Sequence, residues 1–252
     1  MKLNFKKMGQ GSPLIILHGL FGSSDNWMSV AKDLEKDYSI YLIDLRNHGD
    51  SGHSDEWNYQ VMAEDLQEFM ADQKLESAFI LGHSMGGKTA MFFAVDFPEK
   101  VDKLIVVDIA PRPYPVHHQK ILEGLNAIDL ENVKSRKDAE DQLLPFIPEK
   151  GIRQFLLKNL TRKEGKFAWK INLPVISRKI ENVGEAMKKD KTFEKPVLFM
   201  GGAHSKYIQD KDKEDIDRIF PNSHLVYIKD AGHWLHAEQP DAVVQTIKAF
   251  LK

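Results

Sequence analysis

A cysteine-free chain of 252 residues is long enough to bury a sizeable core as one α/β domain, and it excludes disulfides, thiolate metal sites and cysteine nucleophiles. Its 35 Lys and Arg side chains against 37 Asp and Glu leave a net charge of −2, which gives no electrostatic case for nucleic acid or an anionic membrane as partner. The N-terminal residues lack the apolar run of a signal peptide, and no stretch approaches the ~20 apolar residues that span a bilayer, so a soluble cytoplasmic protein is expected.

Short apolar runs alternate with longer segments of helical periodicity, the pattern of a mostly parallel sheet flanked by helices. In chain order the residues predict strands at Leu3–Met8 and Leu14–Leu17, a helix at Trp27–Glu35 and a strand at Ser39–Ile43. A helix at Tyr59–Gln73, a strand at Phe79–Leu81, a helix at Met85–Phe97 and a strand at Lys103–Asp108 follow. From Pro111 to about Glu194 the rhythm breaks. The prolines of Pro111-Arg112-Pro113-Tyr114-Pro115 block regular structure, and amphipathic segments at Ile121–Ile128, Arg153–Leu160 and Val175–Met187 follow with no convincing strand. The sheet pattern resumes with a strand at Val197–Met200, a helix around Asp212–Phe220, a strand at His224–Ile228 and a last helix at Pro240–Phe250. The expectation is a single domain over residues 1–252, with residues 111–194 forming a helical lid, or cap, inserted between two sheet strands.

Residues Gly82 to Thr89, GHSMGGKT, satisfy two unrelated motifs. As G-x-S-x-G they form a nucleophile elbow that exposes Ser84 on a sharp strand-to-helix turn. As G-x-x-x-x-G-K-[ST] they form a phosphate-cradling loop in which Lys88 reaches phosphates. The remaining sequence favours the elbow. A serine nucleophile needs a histidine base oriented by an acid, in the chain order Ser, Asp or Glu, His. Ser84, Asp108 and His233 follow that order, each where a strand should end. The phosphate-loop reading leaves His18-Gly19 and Ala231-Gly232-His233-Trp234 without a role, and three candidate strands precede the loop where such loops commonly follow the first. In the elbow reading Lys88 is simply a residue on the following helix.

Acyl transfer also needs donors for the developing oxyanion. The Met85 N–H supplies one. The second comes from the His18-Gly19-Leu20-Phe21-Gly22 loop: Leu20 is the expected donor, with Phe21 the alternative because a one-residue shift is not resolved by spacing. Phe21 and Trp234 are candidates for shaping the pocket. Asp44 and His48 belong to a polar turn that fixes the loop beneath the site, and His83 has a packing or supporting role. His117 and His118 lack acidic partners at metal-ligand spacing, so no metal site is expected. His236 is expected at the surface, where the terminal helix starts. In the insertion, Phe146, Phe155 and Trp169 either stabilise the lid or touch substrate.

Taken together, His18–Ser23, Asp44–Ser51 (DLRNHGDS), Gly82–Met91, Val107-Asp108-Ile109-Ala110-Pro111 and Ala231–Trp234 resemble the α/β-hydrolase superfamily, and in particular the YbfF-like esterases. These motifs span nearly the whole chain outside the insertion. The resemblance implies an α/β-hydrolase fold and an esterase or thioesterase acting on small acyl substrates without a cofactor. Many superfamily members carry the acid in the loop after the strand equivalent to Val197–Met200. Here that loop reads Gly201-Gly202-Ala203-His204-Ser205-Lys206, with no carboxylate before Asp210. The role therefore passes to Asp108, as in the YbfF-like group, and Ser205 stands where the usual acid would be, a candidate support for His233 or Asp108. The expected activity is serine-dependent cleavage of carboxylic esters or acyl thioesters of small to medium acyl groups. A ligand sensor with slow turnover and a cofactor-free perhydrolase are the alternatives.

Overall fold

The computed structural model describes residues 1–187 and 190–252. Its main sheet has seven strands. In chain order the first half comprises β1 (Phe5–Met8), β2 (Ser12–Leu17), α1 (Met28–Leu34), β3 (Tyr38–Ile43), α2 (Tyr59–Asp72), β4 (Ala78–His83), α3 (Met85–Asp96) and β5 (Val101–Val107). The sheet is completed by β8 (Val197–Gly202) and β9 (Ser223–Ile228), which flank α8 (Lys213–Ile219), and the chain closes with α9 (Leu235–Glu238) and α10 (Pro240–Leu251). Strand order is β1-β3-β2-β4-β5-β8-β9. Only β1 pairs antiparallel; the other neighbours are parallel.

Buried on both faces, the central strands read as continuous apolar runs. Leu14, Ile16 and Leu81 face one helical layer with Trp27, Leu34 and Ile247, and Ile15, Ile80 and Val106 face the other with Met62, Phe93 and Leu66. The alternation of inward directions along each strand fixes this division. Carboxyl ends of β2, β4, β5 and β8 all open on one edge, where sheets of this kind place their sites.

Between β5 and β8 lie α4 (Gln119–Ala127), α5 (Arg136–Leu143), α6 (Lys150–Leu157), β6 (Leu160–Lys163), β7 (Lys166–Trp169) and α7 (Leu173–Lys179). The expectation that this insertion lacks strands is corrected: β6 and β7 pair as an antiparallel hairpin. Its two-residue turn, Glu164-Gly165, takes positive φ at both positions (53° and 84°), the mirror-image turn whose twist matches paired strands. The segment expected to be helical through Leu160 stops at Leu157, because Leu160 is already paired with Trp169. Apolar residues of the insertion, among them Leu125, Leu143 and Ile176, are buried in the same core as β4 and β5.

Candidate active site

Ser84 sits between the last residue of β4 and the first of α3, with φ 52° and ψ −116°. Such a backbone is rarely adopted by a residue with a side chain and persists only where the surroundings enforce it. They do so here by close approach. A Cβ on Gly82 would lie 2.1 Å from the Gly86 carbonyl oxygen, and one on Gly86 would lie 2.5 Å from the carbonyl oxygens of Leu17 and His18. Larger residues at these positions would force the turn open. The Ser84 N–H donates to Val107 O at 2.9 Å, tying the turn to the end of β5.

Asp108 follows β5 directly, also at positive φ (51°), and is fully buried. Its carboxylate accepts from Gly202 N–H at 3.1 Å, from Ser205 Oγ–H at 2.5 Å and from His233 Nδ1 at 2.7 Å. Three donors compensate an ion that would otherwise be costly to bury. The His233 ring stacks on Tyr207 at 4.1 Å between centroids. Its carbonyl oxygen lies 2.9 Å from His83 Nε2, which donates to it. Burial, reinforced by the neighbouring rings of His233 and His236, pushes the His83 pKa well down, so His83 stays neutral. Asp210, the competing carboxylate, lies exposed in a short turn.

The loop after β2 lies against the elbow: a Cβ on Gly19 would stand 3.3 Å from Ser84 Cβ. Phe21, at φ 59°, uses its N–H on His48 Nε2 at 3.3 Å. Leu20 and Met85 N–H groups have no acceptor among the described residues. Asp44 secures the loop from below, accepting from Ser24 N–H at 2.7 Å and Asp50 N–H at 3.0 Å. His48 is held neutral by burial, its pKa pushed down to about 3.

Ser84, His233, Leu20, Phe21, Met85 and Trp234 open on one cavity of about 690 Å³, within the size range of small-molecule sites. The insertion lines the opposite wall with Val116, Ile121, Ile152, Phe155 and Val183. Of the three aromatic residues singled out there, Phe155 reaches the cavity; Phe146 and Trp169 pack on the core. No group of three or more His, Asp or Glu side chains with metal-binding geometry occurs among the described residues.

One placement differs from expectation. His236 is buried, not at the surface: its ring stacks on Trp27 at 4.4 Å, because the chain makes the extra turn α9 before α10 begins. Lys88 is fully buried, and its Nζ donates to carbonyl oxygens of the insertion rather than facing outward as a phosphate ligand would. Tyr207 stacking on His233 was not read from the sequence, and no local pattern signals it.

Residues 12–240 match the family model described as the alpha/beta hydrolase fold. The chain belongs to the α/β-hydrolase family, and within it to the YbfF-like esterases. It is 36% identical to Esterase YbfF of Escherichia coli strain K12 over 257 residues, covering 100% of this chain and 99% of that one. An sn-1-specific diacylglycerol lipase of Danio rerio is 40% identical over 256 residues, covering 98% of this chain and 81% of the relative. A solved structure described as a marine microorganism esterase superposes with a TM-score of 0.97 at 49% identity, covering 99% of both chains. Among the described residues no helix is long and apolar enough to cross a membrane.

Proposed function

We propose that this α/β hydrolase cleaves carboxylic esters or acyl thioesters of small to medium acyl groups through a covalent acyl-enzyme on Ser84. The observation that carries the reading is the His233 imidazole held through Nδ1, at 2.7 Å, by a fully buried Asp108 carboxylate, on the same cavity as a serine with φ 52°. A carboxylate that accepts the Nδ1–H leaves the Nε2 lone pair free to take the Ser84 proton. Serine oxygen then adds to the substrate carbonyl, and the uncommitted N–H groups of Leu20 and Met85 receive the oxyanion. Collapse expels the alcohol or thiol, protonated by His233. Water activated by the same imidazole releases the acid and restores Ser84.

The insertion serves in this reading as a cap whose apolar wall accepts the acyl chain, with Phe21 and Trp234 on the facing wall. The names of the relatives, an esterase and a diacylglycerol lipase, both denote cleavage of an ester, and only the second names the substrate. A panel of p-nitrophenyl esters and acyl-CoA thioesters of graded length tests the reading. Turnover abolished in a folded Ser84→Ala variant supports it; turnover that survives in that variant overturns it.

A further inference from the structure

Lys88 lies in the first turns of α3, fully buried. Its Nζ donates to Arg112 O at 2.8 Å and to Glu185 O. Those two carbonyls belong to the outgoing and returning necks of the insertion. The necks also bond each other: Tyr114 N–H donates to Gly184 O and Met187 N–H to Pro111 O, both at 2.9 Å. The ammonium lies 5.7 Å from the Tyr59 ring centroid and 5.4 Å from that of Tyr114, within cation–π reach. Tyr59 adds a hydrogen bond of 2.7 Å from its hydroxyl to Val183 O. Among the described residues Lys88 has no carboxylate ion pair. A buried cation without one is disfavoured against an apolar side chain of the same length unless its donors are used. Here they are used on the two strands of backbone through which the insertion joins the sheet.

We propose that Lys88 is a positioning residue that clamps both necks of the insertion to the helix carrying the nucleophile, and so sets where the cap stands over the acyl cavity. The inference rests on the reading of residues 111–194 as a cap. It gives a role to a residue that touches neither the cavity nor the reacting atoms.

The clamp has a pH signature. Burial, the largest influence, pushes the Lys88 pKa from 10.5 down to about 7; Glu185 opposes that shift and Arg112 adds to it. Tyr59 on α2 and Tyr114 on the outgoing neck are pushed upward by burial, and Arg112 is ion-paired with Asp212 at 2.8 Å. Releasing the necks exposes the amine to water, where it binds a proton more tightly. Above about pH 7 the seated side chain is the neutral amine, whose two N–H groups still serve the two neck carbonyls while the cation–π attraction is lost; release takes up a proton at pH values between about 7 and 10.5, so seating strengthens as pH rises through that window.

The test is hydrogen exchange at the Tyr114 and Met187 amides, corrected for intrinsic rate, in the wild type and in Lys88→Met. In the wild type, protection should rise by up to about tenfold per pH unit above about pH 7. In Lys88→Met it should not depend on pH. The ratio of kcat/KM for p-nitrophenyl hexanoate to that for the acetate should follow the same pH course in the wild type and lose it in the variant. PH-independent protection in the wild type, or an unchanged pH dependence in folded Lys88→Met, overturns the clamp. If the variant does not fold, the wild-type exchange alone decides. Exchange requires no catalysis, so failure of the Ser84 chemistry and failure of the clamp are separately visible.

Discussion

Replacing Asp108 by Asn changes one atom and disturbs three hydrogen bonds. Both carboxylate oxygens of Asp108 accept: Oδ1 from Gly202 N–H, Oδ2 from Ser205 Oγ–H and His233 Nδ1. A carboxamide has one oxygen. If its NH₂ takes the Oδ2 position, it faces the imidazole as a donor and holds Nδ1 unprotonated, which puts the proton on Nε2. His233 then meets Ser84 in the tautomer that cannot accept the serine proton. If the amide turns over, its NH₂ meets the Gly202 N–H, and a buried donor is left unpaired at a cost of about 1–3 kcal/mol. Either orientation also removes the charge that stabilises the imidazolium. The expected loss in kcat is about 10⁴-fold, the size seen when a serine hydrolase is given the wrong tautomer. Asp210→Asn removes an exposed charge and should stay within a few-fold of wild type. Both variants are assayed on p-nitrophenyl acetate near neutral pH, with circular dichroism to confirm folding. Turnover in folded Asp108→Asn within about tenfold of wild type, or a larger loss in Asp210→Asn, would refute the assignment of the acid.

Ser205→Ala removes one donor from the same carboxylate and leaves two, so kcat should fall by no more than about a hundredfold, the equivalent of one hydrogen bond to a charged group; a loss matching Asp108→Asn would make Ser205 a full partner. Gly82→Ala would place a methyl 2.1 Å from the Gly86 carbonyl oxygen and should lower unfolding stability by about 1–3 kcal/mol or more in a denaturant titration. An unchanged midpoint would contradict the tight elbow. Phe155→Ala and Ile121→Ala, on the insertion's wall of the cavity, should shift the optimum acyl length on the ester panel while leaving acetate turnover within a few-fold. No shift would argue against an acyl wall there. His236 has its pKa pushed by burial from 6.5 down to about 3, so the unfolded chain binds its proton first and this group costs stability progressively as pH falls from about 6.5 toward 3. His236→Phe, which keeps a ring against Trp27, should therefore flatten the acid limb of thermal midpoint against pH; an unchanged slope would mean that His236 is protonated in the fold.

The elbow, the loop after β2 and the order of Ser84, Asp108 and His233 were legible because each depends on a handful of adjacent residues. Gly82, Gly86 and Gly19 stand where the backbone must pass close to a neighbour, and short apolar runs locate the strand ends near which the candidate side chains stand. What could not be read depends on distant partners. The carbonyls that Lys88 bonds are 24 and 97 residues away in sequence, and nothing in GHSMGGKT tells a lysine buried between two chain necks from one in solvent. The surface expectation for His236 failed because its burial comes from Trp27, on the far side of the sequence. The hairpin of β6 and β7 did carry a local signal in Glu164-Gly165. Its strands, however, are four residues each and rich in Lys and Arg, so hydrophobic alternation did not expose them. That His48 engages the Phe21 N–H could not be read from spacing, because the two residues are 27 apart in sequence.

Covalent capture of the nucleophile is the most direct test. Intact protein incubated with a fluorophosphonate should gain the mass of one phosphonyl group, and peptide mapping should place it on Ser84. Ser84→Ala should gain none, and Asp108→Asn should react far more slowly than wild type. A phosphonyl group on any other residue, or undiminished labelling of Ser84→Ala, would contradict the assignment of Ser84 and the mechanism built on it.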